Sequence, residues 1–267
     1  MVTTRSQTGQ STKDEPSLKS NTSEKHPSDK DSKPVKQSKK SSSSTTEDKA
    51  KTQSGRKPKT VELLLAKGRP MSEFIAVDKA QESTPETVLA HLLNALISSA
   101  RISHTIAEET LAQCVSAGYQ NIDTLEKSSW EERTDVLTKG GYTHYREKTA
   151  TALGQLAEHL REKYDGDASR LVDVKSSENA NGTVKKRVKE FKGIGELGAD
   201  IFLETIQAVA PSVAPALSQR NLATAEKLGL GDANQVFEEL HRDAASMAKL
   251  CQALTVIRLE GKEHEYT

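Results

Sequence analysis

Residues 191–200 read Phe191-Lys192-Gly193-Ile194-Gly195-Glu196-Leu197-Gly198-Ala199-Asp200. Amphipathic stretches at 183–192 and 196–209 flank the central Gly-x-Gly, and both have helical spacing. No strand pattern precedes the glycines, so the stretch is not the strand–turn–helix of a dinucleotide-binding loop. Between two helices the same glycines make a hairpin, because glycine tolerates positive φ and leaves no side chain in the way. Main-chain N–H groups of the turn and the N-terminus of the second helix then face outward, a fit for a phosphate oxygen. An ordinary helical corner is the competing reading of this stretch.

Working outward, the pattern stays helical. In 86–101, Leu89, Leu92, Leu93, Leu96 and Ile97 recur at a spacing that makes one broad apolar face. Helices are expected at 61–67, 104–117, 128–138, 145–163, 217–228 and 234–259 as well. In the last of these Val236, Leu240, Met247, Leu250, Cys251, Leu254 and Ile257 fall along one side. Gly118, Gly140-Gly141, Asp165-Gly166 and Gly229 supply the breaks, and 174–183 reads as a polar loop. No segment alternates at period two, so the fold expected over 61–267 is an all-α domain.

Residues 1–60 are different in kind. They contain no Phe, Trp or Tyr, and their aliphatic and Met content is Met1, Val2, Leu18, Val35 and Ala50. Too little apolar surface is available to offset ordering entropy, so this segment is expected to be a disordered tail. The tail holds 14 Lys/Arg against 7 Asp/Glu, hence +7. The full chain has 38 of each sign, which leaves −7 on the remainder. A basic tail on an acidic domain is suited to non-specific attraction to a polyanion, or to keeping the chain soluble. The acidic remainder speaks against duplex binding by its surface as a whole.

Cys114 and Cys251 are the two cysteines. They have no zinc spacing, and the four thiolates of an iron–sulfur cluster are absent, so both are expected to be small core residues in a reducing compartment. No apolar run is long enough to span a membrane, and the N-terminus lacks the apolar core of a signal peptide. The clusters Arg56-Lys57-Pro58-Lys59 and Lys185-Lys186-Arg187-Val188-Lys189 have the composition of nuclear-import signals, and the nucleus is the expected location.

Taken in order, several segments resemble a known family. Leu96-Ile97-Ser98-Ser99-Ala100-Arg101 ends a long apolar helix, and Gly141-Tyr142 precedes another. Phe191-Lys192-Gly193-Ile194-Gly195 follows. Leu217-Ser218-Gln219-Arg220-Asn221-Leu222 then runs into Glu226-Lys227-Leu228-Gly229-Leu230. This order resembles the endonuclease III-like, helix-hairpin-helix superfamily of DNA glycosylases over roughly 85–259. The resemblance implies a two-lobed helical bundle with duplex DNA across its cleft and a base flipped into a pocket between the lobes. It also implies a hairpin (183–209) that grips a backbone phosphate through main-chain amides, with a monovalent cation on its carbonyls. Carried over, Gly193, Ile194, Gly195 and Gly198 would shape that grip. Arg101 stands where the family has a wedging Gln, and Arg220 would meet DNA. Duplex DNA is the implied partner, other repair proteins a further one, and a monomer the expected state.

The departures concern chemistry. Two positions after the second hairpin glycine, where bifunctional members carry a catalytic Lys, stands Leu197, which cannot form the Schiff base of lyase chemistry. The family's catalytic Asp position is occupied by Ser218, a neutral hydroxyl. Glu196 suits the dipole of the second helix but would repel a bound phosphate. Asp200 and Glu204, four residues apart on one helical face, are the candidates for a displaced carboxylate, or else a solvated acidic face. Tyr142, His144 and Tyr145 would either stack on a base or pack locally. His159 and His241 have no ligand partners in the pattern and read as boundary residues. Three functions follow: a DNA-binding member that has lost its usual chemistry, a monofunctional N-glycosylase with a relocated carboxylate, or a protein-interaction scaffold that no longer binds DNA.

Overall fold

The computed structural model describes residues 58–174 and 179–267. Among them the regular structure is entirely helical, with eleven α-helices and no strand. The hub is α2 (Pro85–Ser98). Its N-terminus is set by Thr84, whose hydroxyl accepts the Thr87 N–H, and by Pro85 in the first turn. From Thr87 to Leu93, and again from Ala95 to Ile97, every residue of α2 is buried. A helix enclosed on all sides is a core helix. Around it lie α3 (His104–Ser116), α5 (Trp130–Lys139), α6 (Arg146–Tyr164) and α8 (Glu196–Ile206), packed on α2 or on one another.

Two apolar cores result. The larger one runs from Met71 to Ala216 and is centred on α2. The second gathers Val61 and Leu64 of α1 (Pro58–Lys67) with α9 (Gln219–Lys227), α10 (Ala233–Glu239) and α11 (Ala244–Glu260). Helix α8 belongs to the first core and also packs on α11, so it connects the two. The all-α class expected from the sequence is the class observed.

Several boundaries differ from expectation. The single helix expected over 234–259 is two, α10 and α11. The chain reverses at His241 and Arg242, which adopt φ of 55° and 59°. Asp243 then caps α11 by accepting the Ser246 N–H at 2.9 Å. Apolar residues on both sides of the break feed one core, which is why they read as one stripe. Helix α4 (Ile122–Lys127), capped by Asn121, is too short to show a period and was not expected. Helix α7 (Ala180–Val188) starts three residues before 183, and residues 175–178 of the expected polar loop lie outside the described residues. The expected tail also lies outside them, Arg56 and Lys57 included, apart from 58–60, which belong to α1.

Candidate nucleic-acid interface

Helices α7 and α8 pack on each other and form the hairpin. Its glycines do three different jobs. Gly193 has φ of +96°, which favours glycine, and a Cβ there would also meet Leu96 Cδ1 at 2.9 Å. Gly195 is extended, with φ −94° and ψ −161°, so positive φ is confined to Gly193. A Cβ on Gly195 would meet nothing within 4 Å, so the bare backbone there matters only to something arriving from outside. Gly195 is also the N-cap of α8 and brings no capping side chain. The first-turn amides, which lack intrahelical acceptors, thus receive no side-chain cap from this residue. Gly198 instead faces inward, where a Cβ would meet Ile194 Cγ2 at 2.9 Å and Ala95 O at 3.3 Å. It sets the approach of α8 to α2. Ile194 has a buried side chain and gives its N–H to Phe191 O at 3.1 Å, so it closes the turn.

The acidic residue expected to repel a phosphate is already paired. Lys185 and Lys189 both contact the Glu196 carboxylate, the latter at 2.6 Å, and they hold its pKa down at about 2. Lys185 reaches Asp200 as well, at 2.7 Å. Asp200 is thereby bound into the α7–α8 contact.

Behind the hairpin a cavity of about 430 Å³ opens between the end of α2, α3, α8, the start of α9 and α11. It brings together Arg101, Leu197, Asp200, Glu204, Ser218 and Arg220, all singled out from the sequence. The hairpin glycines do not line it; they stand at the end of α8 from which Leu197 enters.

Glu204 is the chemically distinctive member, only 7% exposed. Its Oε1 accepts the Ser218 N–H at 2.7 Å and the Asn221 amide at 3.0 Å. Burial pushes its carboxyl up to about 7, although the Ser218 and Asn221 donors pull the other way. Asn221 extends the network to the Cys251 carbonyl and the Thr255 hydroxyl. Buried Gln207 fixes the approach to Ser218 by exchanging two hydrogen bonds with the Ala216 main chain, at 2.9 and 3.0 Å. Ser218 itself is the N-cap of α9, its hydroxyl accepting the Asn221 N–H at 3.3 Å. A carboxyl group from α8 therefore lies against the start of α9.

Other sequence candidates stay apart from this cavity. Tyr142 is buried and its hydroxyl meets Thr149 Oγ1 at 3.2 Å, while His144 and Tyr145 pack edge to face at 4.5 Å. Their role is local, at the α5–α6 turn. His159 is half-buried, as a boundary residue should be; its ring packs on Phe191 at 4.8 Å and lies 3.7 Å from the Glu190 carboxylate, and so sets α6 against the hairpin. His241 is exposed at the α10–α11 reversal. Sequence reading missed Asn221, Thr255 and Arg258, polar residues on helices whose inward faces only the packing reveals. Among the described residues no helix is long and apolar enough to cross a membrane.

No family model and no curated protein matches this sequence. Among solved structures, the chain is similar to the H. pylori 3-methyladenine DNA glycosylase MagIII bound to 1,N6-ethenoadenine. The TM-score is 0.48 at 15% identity, over 76% of this chain and 98% of that one. So slight a likeness transfers no activity.

Proposed function

We propose that this chain is a DNA-binding protein of the endonuclease III-like helix-hairpin-helix superfamily that serves base-excision repair in the nucleus. Duplex DNA would lie against the hairpin, with a nucleotide extruded into the cavity beside α8. The supporting observation is convergence: Arg101, Leu197, Ser218 and Arg220, matched to the family by sequence order alone, line one cavity that begins two residues beyond the uncapped Gly195. Extrusion costs a few kcal/mol of unstacking, which contacts inside the cavity must offset. The family's monovalent cation would rest on main-chain carbonyls of the turn. Among the described residues no group of three or more His, Cys, Asp and Glu is placed to hold a metal.

Leu197 has no amine, so the protein would form no imine with an abasic sugar and would cleave no strand. A second reading, monofunctional N-glycosylase activity, is favoured by Glu204 at the Ser218 amide. An ionised carboxylate there would stabilise positive charge developing on the sugar. Asp200, tied to Lys185, is less suited to that role.

The test is a base-release screen over uracil-, alkyl-, oxo- and mismatch-containing duplexes, run beside a salt-dependent binding assay. Wild type, Asp200→Asn and Glu204→Gln would be compared. Binding without release is the outcome expected for a recognition protein. Release abolished by Glu204→Gln alone would establish the enzymatic reading. Absence of any duplex binding would overturn both and favour a protein-interaction scaffold. Borohydride trapping on abasic DNA should give no covalent adduct in either case.

A further inference from the structure

The same cavity has a charge pattern that hairpin and carboxylate do not explain. Arg101, Arg220 and Arg258 all line it. Among the described residues none of the three has an ion-pair partner or a side-chain hydrogen bond. The acids in the lining have other partners: Asp200 pairs with Lys185, Glu108 lies 3.5 Å from His104, an ion pair only when that imidazole is protonated, and Glu204 accepts from Ser218 and Asn221. Arg258 is only partly exposed, and its Nε is buried with no hydrogen-bond partner. Its pKa is lowered by burial and then by the like charge of Arg220, against weaker opposing pulls from Glu204 and Glu263.

The half-buried Arg258 guanidinium, whose Nε has no acceptor in the protein, lies close enough to the exposed Arg220 to feel its charge, and no described ion pair neutralises either. Such a charge pattern is complementary to a compact anion with several acceptor oxygens. A planar fork of N–H donors matches a phosphate, which can take two parallel hydrogen bonds from one guanidinium. The volume suits a whole small ligand, since sites for such ligands start at about 300 Å³.

We propose that Arg220 and Arg258, with Arg101 at the rim, form a phosphate-binding subsite inside this cavity, which holds the phosphate next to an extruded nucleotide. The assignment of that phosphate to DNA rests on the functional reading above; the phosphate chemistry of the subsite does not. The hairpin would hold one phosphate from outside the cavity, while the arginines hold another within it. Two fixed phosphates would set the register of the backbone around the extruded nucleotide without reading its base.

The experiment uses the full chain and the variants Arg258→Gln, Arg258→Lys and Arg220→Gln, each checked for an unchanged melting temperature. Inorganic phosphate, deoxyadenosine 5′-monophosphate and deoxyadenosine are titrated into each. Wild type should bind the two phosphate-bearing probes and not the nucleoside. Arg258→Gln should weaken that binding by at least about tenfold, as expected on losing a charge-assisted hydrogen bond. Arg258→Lys, which keeps the charge and loses the fork, should fall between them. A third arm uses duplexes with a stable abasic analogue flanked by either a normal phosphate or a neutral methylphosphonate. The neutral linkage should weaken wild type and leave Arg258→Gln unaffected. Folded Arg258→Gln that binds both phosphate probes as tightly as wild type overturns the subsite. Arginine-dependent nucleotide binding with indifference to the methylphosphonate would uphold the subsite and overturn the DNA reading.

Discussion

Glu204 is an acid whose folded pKa of about 7 lies above the 4.5 of an ordinary glutamate. Between those values the folded state keeps a proton that the unfolded chain has released, so this group makes stability fall as pH rises through the window. Glu204→Gln retains an acceptor for Ser218 and Asn221 and has no such slope. Relative to wild type it should gain on the order of 2–3 kcal/mol on going from pH 4 to pH 8. Melting curves of both proteins over that range decide it, and parallel profiles would place the proton elsewhere. The comparison must be with the variant, because His91 works in the opposite direction. Its imidazole is buried beside Thr205 Oγ1 at 3.0 Å and its pKa is lowered to about 3 by burial. It therefore adds stability as pH rises between about 3 and its ordinary 6.5.

At the level of elements, the hairpin separates two roles that glycines share in the sequence. Gly195→Val should cost only about 0.5–1 kcal/mol of stability, since its Cβ meets no neighbour and the loss is that of a poorer N-cap residue. Duplex affinity should nevertheless drop, because the new side chain would stand where a phosphate approaches. Gly198→Val should destabilise by about 1–3 kcal/mol through overpacking against Ile194 and the α2 backbone. If both variants melt alike, Gly195 is a structural residue and the exposed α8 start has lost its argument. The hairpin, α2 and α6 were legible because each has a long periodic face and a clear break. The α10–α11 reversal was not, because it uses non-glycine residues at positive φ and leaves the apolar stripe intact. For the site, chain order sufficed to collect Arg101, Leu197, Ser218 and Arg220. The weight between Asp200 and Glu204 was invisible: one turn of helix turns the first toward Lys185 and the second toward the start of α9.

For the whole molecule, the +7 segment ahead of the domain and the −7 beyond it make a prediction about salt. A truncation that removes the basic segment must stop short of Pro58, since α1 begins there and Leu64 is fully buried in the second core. Such a chain should keep its fold and lose duplex affinity together with much of its salt dependence, because each neutralised phosphate adds about 0.9 to the slope of log K against log salt. Binding isotherms at several salt concentrations test this; an unchanged slope would remove the segment from the interface. The placement of α1 has a further consequence. Lys67 meets Glu260 at 3.2 Å, and the N–H of Arg69, just past α1, is accepted by Gln252 at 2.9 Å, so the first described helix and the residues after it are secured along α11. On a translating ribosome α1 emerges long before the surface that covers it. Val61 and Leu64 stay unshielded until nearly the entire domain has been synthesised, and contacts so distant in sequence form slowly. Release of a nascent chain before α11 would leave α1 without its seat, and the second core would not form.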